Sequence, residues 1–311
     1  MAPEDDTARR WVPRTELDAV CGDRLRGAVL DGLWVAGALD GLLAPSVAIV
    51  GARAPSDAAR RRARLVAEDL ARAGICVVSG LALGIDGAAH EGALAAGAPT
   101  IGVLGGGHAH FFPPRNRDLA ARIALGGGAV VSPFAPDNVP QPWQFLARNA
   151  VIAALADAVL VVEAAARSGA LNTAGHGADR GIPVLAIPGD VDRPKAAGCN
   201  ALIRDGAILA RDASDVLAAL PAGIAPKPPR RARDDATRST GDAMRDASDA
   251  NGAASARVLD ALRDGACDAG TLADRLALPP SQLFPLLTEL ELSGRIASAA
   301  GGFMIAREPR Y

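Results

Sequence analysis

Aromatic side chains make up only 3% of this chain of 311 residues, although half of it is hydrophobic. A core with so few rings must be assembled from Ala, Val, Leu and Ile, which suits helices packed closely on a parallel sheet. Cysteine is as sparse: Cys21, Cys76, Cys199 and Cys267 are scattered, with no C-x-x-C pair among them. That usage fits a reduced, cytoplasmic protein. The formal net charge is −2, so no global basic field announces a nucleic-acid partner, although a local basic strip would serve one. The N-terminus, Met-Ala-Pro-Glu-Asp-Asp, is acidic and has no apolar h-region behind it, so no signal peptide is expected. No apolar stretch reaches the ~20 residues of a membrane span without a Gly-rich or charged interruption.

Phosphate and cofactor signatures are missing too. The chain has no G-x-x-x-x-G-K-S/T loop, no G-x-G-x-x-G after its first predicted strand, and no acidic residue placed after a second strand for ribose. Nicotinamide redox chemistry is therefore not expected. No cluster of His, Cys or carboxylate ligands stands out, so neither a metal nor a cofactor is expected.

What the chain does contain is a regular alternation over residues 46–220. Apolar runs at 47–50, 75–78, 100–104, 129–131, 158–162, 183–187 and 207–209 alternate with helical patterns at 57–73, 84–95, 116–123, 142–156, 173–180 and 213–220. Strands apolar on both faces and separated by helices predict an α/β fold: a Rossmann-like, doubly wound, mostly parallel sheet. Ahead of it, residues 1–45 read as a short N-terminal helical segment, with two helices over 15–43. Residues 221–252, rich in Pro, mixed charge and small polar residues, read as a flexible linker. Three helices and a Gly-turned hairpin over 253–311 predict a small winged-helix domain. The charges of its third helix are Glu289 and Glu291, which favours protein contact or a structural role over DNA reading.

Ligands of open α/β sheets bind outside the carboxyl ends of the strands. There the sequence offers Gly51-Ala52-Arg53, Ser79-Gly80, Gly105-Gly106-Gly107, Glu163 and Pro188-Gly189-Asp190, with Ser168 a plausible N-cap of a further helix. Free amides, small side chains and a few arginines suit phosphate. Arg53 reads as a phosphate contact or as a brace for the strand end. Ser79, Asp86 and His90 have the residue types of a catalytic triad, but they lie on one strand–helix unit and read better as a local structural set. His108 and His110 are a weak metal signal. Glu163 reads as a holder of backbone amides ahead of a general base. Phe145 is as readily a stacking ring beside Arg148 as a core anchor, and Trp143 reads as core.

The runs Val47-Ala-Ile-Val-Gly-Ala-Arg53, Val78-Ser-Gly-Leu-Ala-Leu-Gly-Ile-Asp-Gly-Ala-Ala-His90, Phe145-x-x-Arg-Asn149, Ser168-Gly-Ala-Leu-x-Thr-Ala174, Ile187-Pro-Gly189 and Gly198-x-Asn200-x-Leu-Ile203 stand in order and at characteristic spacing. Together they resemble the DprA/Smf family of bacterial DNA-processing proteins. The resemblance implies an extended Rossmann fold that binds single-stranded DNA without catalysis, forms a homodimer and loads the RecA recombinase during natural transformation. It implies phosphate contacts at Gly51, Ala52, Arg53, Arg148, Ser168 and Gly169, a base against Phe145, and Asn149 and Thr173 in the same site.

Ala150, Ala52 and Pro133 depart from the family pattern, and no basic residue precedes Phe145, so a less basic site with weaker binding is expected. The rival reading is an enzyme, a nucleotide N-glycosidase similar to the lysine-decarboxylase-like (LOG) proteins. Against it, Ser168-Gly-Ala-Leu-Asn-Thr-Ala-Gly-His176 lacks the glutamate of their phosphate-binding run.

Overall fold

The computed structural model describes residues 9–221 and, further along, 257–262, 268–276, 283, 287, 290–291, 295–299 and 302–305. The chain divides into two units, Met1–Arg231 and Ala232–Tyr311.

The first unit is built on a nine-stranded sheet. Its strands are β1 (Arg10–Pro13), β2 (Gly32–Gly37), β3 (Ser46–Val50), β4 (Cys76–Ser79), β5 (Thr100–Val103), β6 (Ala129–Ser132), β7 (Ala158–Val161), β8 (Val184–Ala186) and β9 (Ile208–Leu209). They lie in the order β1-β2-β6-β5-β4-β3-β7-β8-β9. From β6 to β9 every pairing is parallel, whereas β1–β2 and β2–β6 are antiparallel. The α-helices are α1 (Arg14–Cys21), α2 (Asp57–Arg72), α3 (Ile85–Ala95), α4 (Arg117–Leu125), α5 (Pro142–Ala154), α6 (Gly169–Asp179), α7 (Ala197–Arg204) and α8 (Ala213–Ala219).

Each central strand feeds two cores, as continuous apolar runs require. On β3, Ala48 and Val50 point into a core shared with α1, α5, α6 and α7, while Val47 and Ile49 point into another with α2, α3 and α8. Small residues bring the helices close. At Gly92 on α3 an added Cβ would stand 2.2 Å from the Arg64 carbonyl oxygen of α2. The sheet is thus covered on both faces, in the doubly wound arrangement expected.

The N-terminal expectation needs correcting. Of the two helices expected over 15–43, only α1 is an α-helix, and residues 32–37 form β2. The run Leu33-Trp34-Val35 is aromatic and β-branched, and it pairs antiparallel with β6 some hundred residues later in sequence. Residues 10–37 therefore extend the sheet. Arg24 fastens the segment to the centre through a largely buried ion pair with Asp157 at 3.3 Å and a hydrogen bond to Ser46 Oγ at 2.6 Å. Two further differences are smaller: α6 starts at Gly169 instead of residue 173, and α7 has no counterpart in the expected elements.

In the second unit the helix Ala269–Leu276 and an antiparallel hairpin, Ile296–Ala299 with Gly302–Ile305, are described. Val258, Leu262, Leu272, Leu287, Leu290 and Ile296 form a core of its own. The expected hairpin turn at Gly301, the expected linker beyond Pro221, and Glu289 lie outside the described residues.

Candidate nucleic-acid interface

Strand order reverses at β3, which has β4 on one side and β7 on the other. The crevice at such a switch point, outside the carboxyl ends of the strands, is where open sheets take ligand. A cavity of about 200 Å³ lies there. Val50, Gly51 and Arg53 line it from the end of β3, Phe145, Arg148 and Asn149 from α5, and Ser168, Gly169 and Thr173 from the start of α6. Eight of the nine residues expected at the site thus share one crevice, Arg53 and Arg148 among them.

Ala52 is the exception. Its N–H donates to the Glu163 carbonyl oxygen at 2.7 Å, and its own carbonyl accepts from Ile85 N at 3.2 Å. The amide expected to meet phosphate is engaged in joining β3, β7 and α3. Gly51 is needed for the same closeness, since a Cβ there would come within 2.7 Å of the Ile85 side chain. Glu163 grips the other end of this loop. Its carboxylate accepts from Ser56 N at 2.9 Å and from Ser56 Oγ at 2.6 Å, and Ser56 in turn caps α2 by accepting from Ala59 N. Residue 163 therefore pins the loop at positions 52 and 56, and Arg53 stands between the pins. The carboxylate holds donors in place, as the amide-holding reading expects.

Arg53 is exposed and lies over the Phe145 ring, 5.7 Å from its centroid. Phe145 is half-buried, and Phe112 meets it edge-on at 5.9 Å. A Cβ at Gly105 would stand 2.6 Å from the Phe145 ring. The first glycine of the 105–107 run therefore serves ring packing.

Arg148 differs from the direct phosphate contact expected of it. It is 4% exposed, and its guanidinium donates to the carbonyl oxygens of Gly80 and Val103, the latter at 2.6 Å. Burial pulls its pKa down to about 10, while Asp86 nearby opposes that shift. Gly80 is required here, because a Cβ would stand 2.2 Å from Arg148 Nη1 and 2.6 Å from Asp86 Oδ2. Arg148 thus closes the floor of the crevice by tying the ends of β4 and β5 together, and its charge acts from behind.

Asp86 accepts from Gly80 N at 3.2 Å and Ala82 N at 3.4 Å, and burial pushes its pKa above the ordinary carboxylate value. The intervening Leu81 has φ +55°, in the left-handed region that non-glycine residues seldom adopt. Asn116 holds this turn by donating to the carbonyls of Leu81 and Ala82 at 2.9 Å each. Ser79 Oγ donates to Ile49 O, and His90 Nδ1 pairs with Thr100 Oγ1 at 2.8 Å. Ser79, Asp86 and His90 therefore have separate partners and form no triad. His108 Nε2 pairs with Val130 O, and among the described residues no group of three or more His, Cys, Asp or Glu is placed to hold a metal.

At the start of α6, Ser168 Oγ accepts from Ala170 N as the expected N-cap. Asn149 Nδ2 donates to Gly169 O and to Asn172 Oδ1, both at 3.2 Å, so it ties α5 to the first turn of α6. Thr173 is buried beneath that turn.

Trp143 is another correction. It is 61% exposed and meets Phe134 edge-on at 5.9 Å, so it is no core anchor. Sequence reasoning also missed Phe112, 53% exposed beside Phe145, and Leu146 on the cavity wall. The signal for Phe112 was its place, in a chain poor in aromatics, directly after the Gly-rich end of β5.

Residues 29–221 match the profile of DNA recombination-mediator protein A, and residues 242–302 that of the DprA winged helix domain, in keeping with the winged-helix fold expected of the C-terminal part. Protein Smf of Escherichia coli is 38% identical over 275 residues, covering 88% of this chain and 71% of the relative. DNA processing protein DprA of Streptococcus pneumoniae is 41% identical over 186 residues, 60% of this chain and 65% of the relative. The X-ray structure of the pneumococcal DprA superposes with a TM-score of 0.64 at 36% identity, over 70% of this chain and 76% of that one. A Helicobacter pylori DNA processing protein A, described for its single-stranded DNA binding mode, superposes with a TM-score of 0.60 at 25% identity, over 69% of this chain and 96% of that one. With its sheet and its sequence in agreement, this chain belongs to the DNA recombination-mediator protein A (DprA/Smf) family.

Proposed function

We propose that the first unit binds single-stranded DNA without catalysing a reaction on it. Within that reading a phosphate sits at Arg53 and the start of α6, and a base lies against Phe145. The protein acts in the cytoplasm as a homodimer that shields the strand and hands it to the RecA recombinase. The winged-helix unit serves protein contact. The single-stranded DNA binding described for the Helicobacter relative supports the choice of ligand.

The observation that carries the proposal is Arg53 above the Phe145 ring at the mouth of the crevice. A cation beside a ring is what grips a nucleotide without reading its sequence. Size argues the same way. About 200 Å³ falls below the ~300–1,000 Å³ of sites that enclose a small molecule. A site this small takes one base or phosphate and leaves the rest of a polymer outside. Glu163, the carboxylate nearest a general-base position, is occupied by Ser56.

Fluorescence anisotropy of a labelled oligothymidylate, titrated across salt, tests the reading. Affinity is expected to fall as salt rises, and Arg53→Ala to flatten the slope by about 0.7, the value of one single-strand phosphate contact. Equal affinity across the salt range would refute phosphate neutralisation. Release of free base from a panel of nucleoside monophosphates would replace the binding module with an enzyme.

A further inference from the structure

Helix α2 carries four arginines in five positions, Arg60, Arg61, Arg62 and Arg64, all exposed. Helix stability does not explain them. Arg60 and Arg64, and Arg61 and Arg64, are like-charge neighbours on the helix surface, which is unfavourable. They also sit in its N-terminal half, whereas cations favour the C-terminal end. Among the described residues no acid forms an ion pair with them. The acids Glu68 and Asp69 pair instead with Arg72 in the last turn. The result is a basic strip directly downstream of the loop that presents Arg53.

The strip has two flanks. Val66, Ala67 and Leu70 mark the buried side of α2. Arg60 and Arg64, one turn apart, fall toward α3, because the Arg64 carbonyl abuts Gly92. Arg61 lies beside them on the outward side. Arg62, with Asp69, is on the opposite flank of α2. On the side of Arg60 and Arg64, α3 packs directly on α2 through the buried Gly92 and Ala88, and the first turn of α3 supplies Asp86 to the crevice. Moreover, the Gly84 turn before α3 packs on the loop at residues 52–55. The loop that presents Arg53 thus runs directly into the helix that carries Arg60, Arg61 and Arg64.

We infer that Arg60, Arg61 and Arg64 form a phosphate track on α2 along which a single strand seated at Arg53 and Phe145 continues. The inference rests on the proposed function and specifies where the polymer outside the crevice goes. From Asp57 to Arg64 the helix rises about 10 Å. A few nucleotides of an unpaired strand cover that distance. The protein's footprint is therefore longer than the crevice, and affinity grows with oligonucleotide length up to the end of the track.

The test uses the full chain with labelled oligothymidylates of two lengths, about 2 nucleotides to fill the crevice and about 20 to cover the track. In Arg60→Ala/Arg61→Ala/Arg64→Ala, binding of the short probe is expected to equal wild type. Binding of the long probe is expected to fall about a hundredfold at 0.1 M salt, roughly fivefold per phosphate contact, with its salt slope reduced by about 2. Arg62→Ala, the same charge removed from the other flank, is expected to leave both probes unchanged. Unchanged long-probe binding in the triple variant, or an equal loss in Arg62→Ala, overturns the track. A wild-type protein that binds neither probe overturns the proposed function itself. All four residues are exposed, and an unchanged thermal melt verifies folding.

Discussion

Glu163 offers the sharpest separation of architecture from chemistry. Its carboxylate takes two hydrogen bonds from Ser56, and its carbonyl takes a third from Ala52, so the loop that carries Arg53 is anchored on one residue. Glu163→Ala removes the first two and leaves the third. A hydrogen bond to a charged partner contributes roughly 1.5–3 kcal/mol, so the lower value for each gives a loss of about 3 kcal/mol. For a domain of some two hundred residues, each kcal/mol shifts Tm by roughly 2–4 °C, which predicts a drop of about 6–12 °C. Glu163→Gln retains an acceptor for Ser56 N and should lose about half as much. Differential scanning fluorimetry measures both, and anisotropy with a short oligonucleotide measures how far the loosened loop misplaces Arg53. That loss is expected to be about tenfold, or ~1.4 kcal/mol. A Glu163→Ala protein that melts with wild type and binds equally well would refute the anchoring argument. A wild-type hydrolytic activity abolished by Glu163→Gln would make the residue a base.

Three other perturbations address neighbouring parts of the site. Phe145→Ala should weaken single-strand binding by about 1–3 kcal/mol while leaving the salt slope unchanged, because stacking releases no counterion; a changed slope would mean that the ring mainly positions Arg53. Gly80→Ala drives a methyl into Arg148 and Asp86, and should lower the urea midpoint by an amount equivalent to about 1–3 kcal/mol. An unaltered midpoint would show that the floor of the crevice can relax. His90 is buried and neutral, with its pKa lowered from 6.5 to about 3 mainly by burial. The unfolded chain therefore takes up a proton that the folded one refuses as pH falls below 6.5, so stability present above 6.5 declines on acidification, by about 2 kcal/mol at pH 5. Asp86, raised by burial, acts with the opposite sign above 3.8 and is common to both proteins when wild type is compared with His90→Gln. Denaturation midpoints measured from pH 7 to pH 5 should converge for the two proteins; parallel curves would contradict a neutral His90.

How much of this was legible beforehand differs by element. The β3 and β7 runs announced a doubly covered sheet because Val, Ile, Leu and Ala occupy successive positions of both faces, and no other arrangement buries both. β2 was not legible. Leu33 fits a helical spacing with Val29 and Leu30, and only the distant partner strand β6 decides for extended backbone. At the site, Arg53 and Ser168 were readable from their places after strands. The burial of Arg148 was not, since its partners are the carbonyls of Gly80 and Val103, which carry no side-chain signature. Trp143 shows the converse: a lone indole at a helix start reads as core, yet the residues that face it are too few to cover it.

The antiparallel pair at the margin of the sheet has a consequence for where the domain can be cut. β1 and β2 close off β6, whose outward N–H and C=O groups would otherwise recruit strands from other molecules. The profile match begins at residue 29, so a chain trimmed to it keeps β2 and loses β1 together with Arg24, its rivet to Asp157. Such a trimmed protein would carry an intact crevice and a raw seam, and its self-association would report on the missing selvedge rather than on DNA.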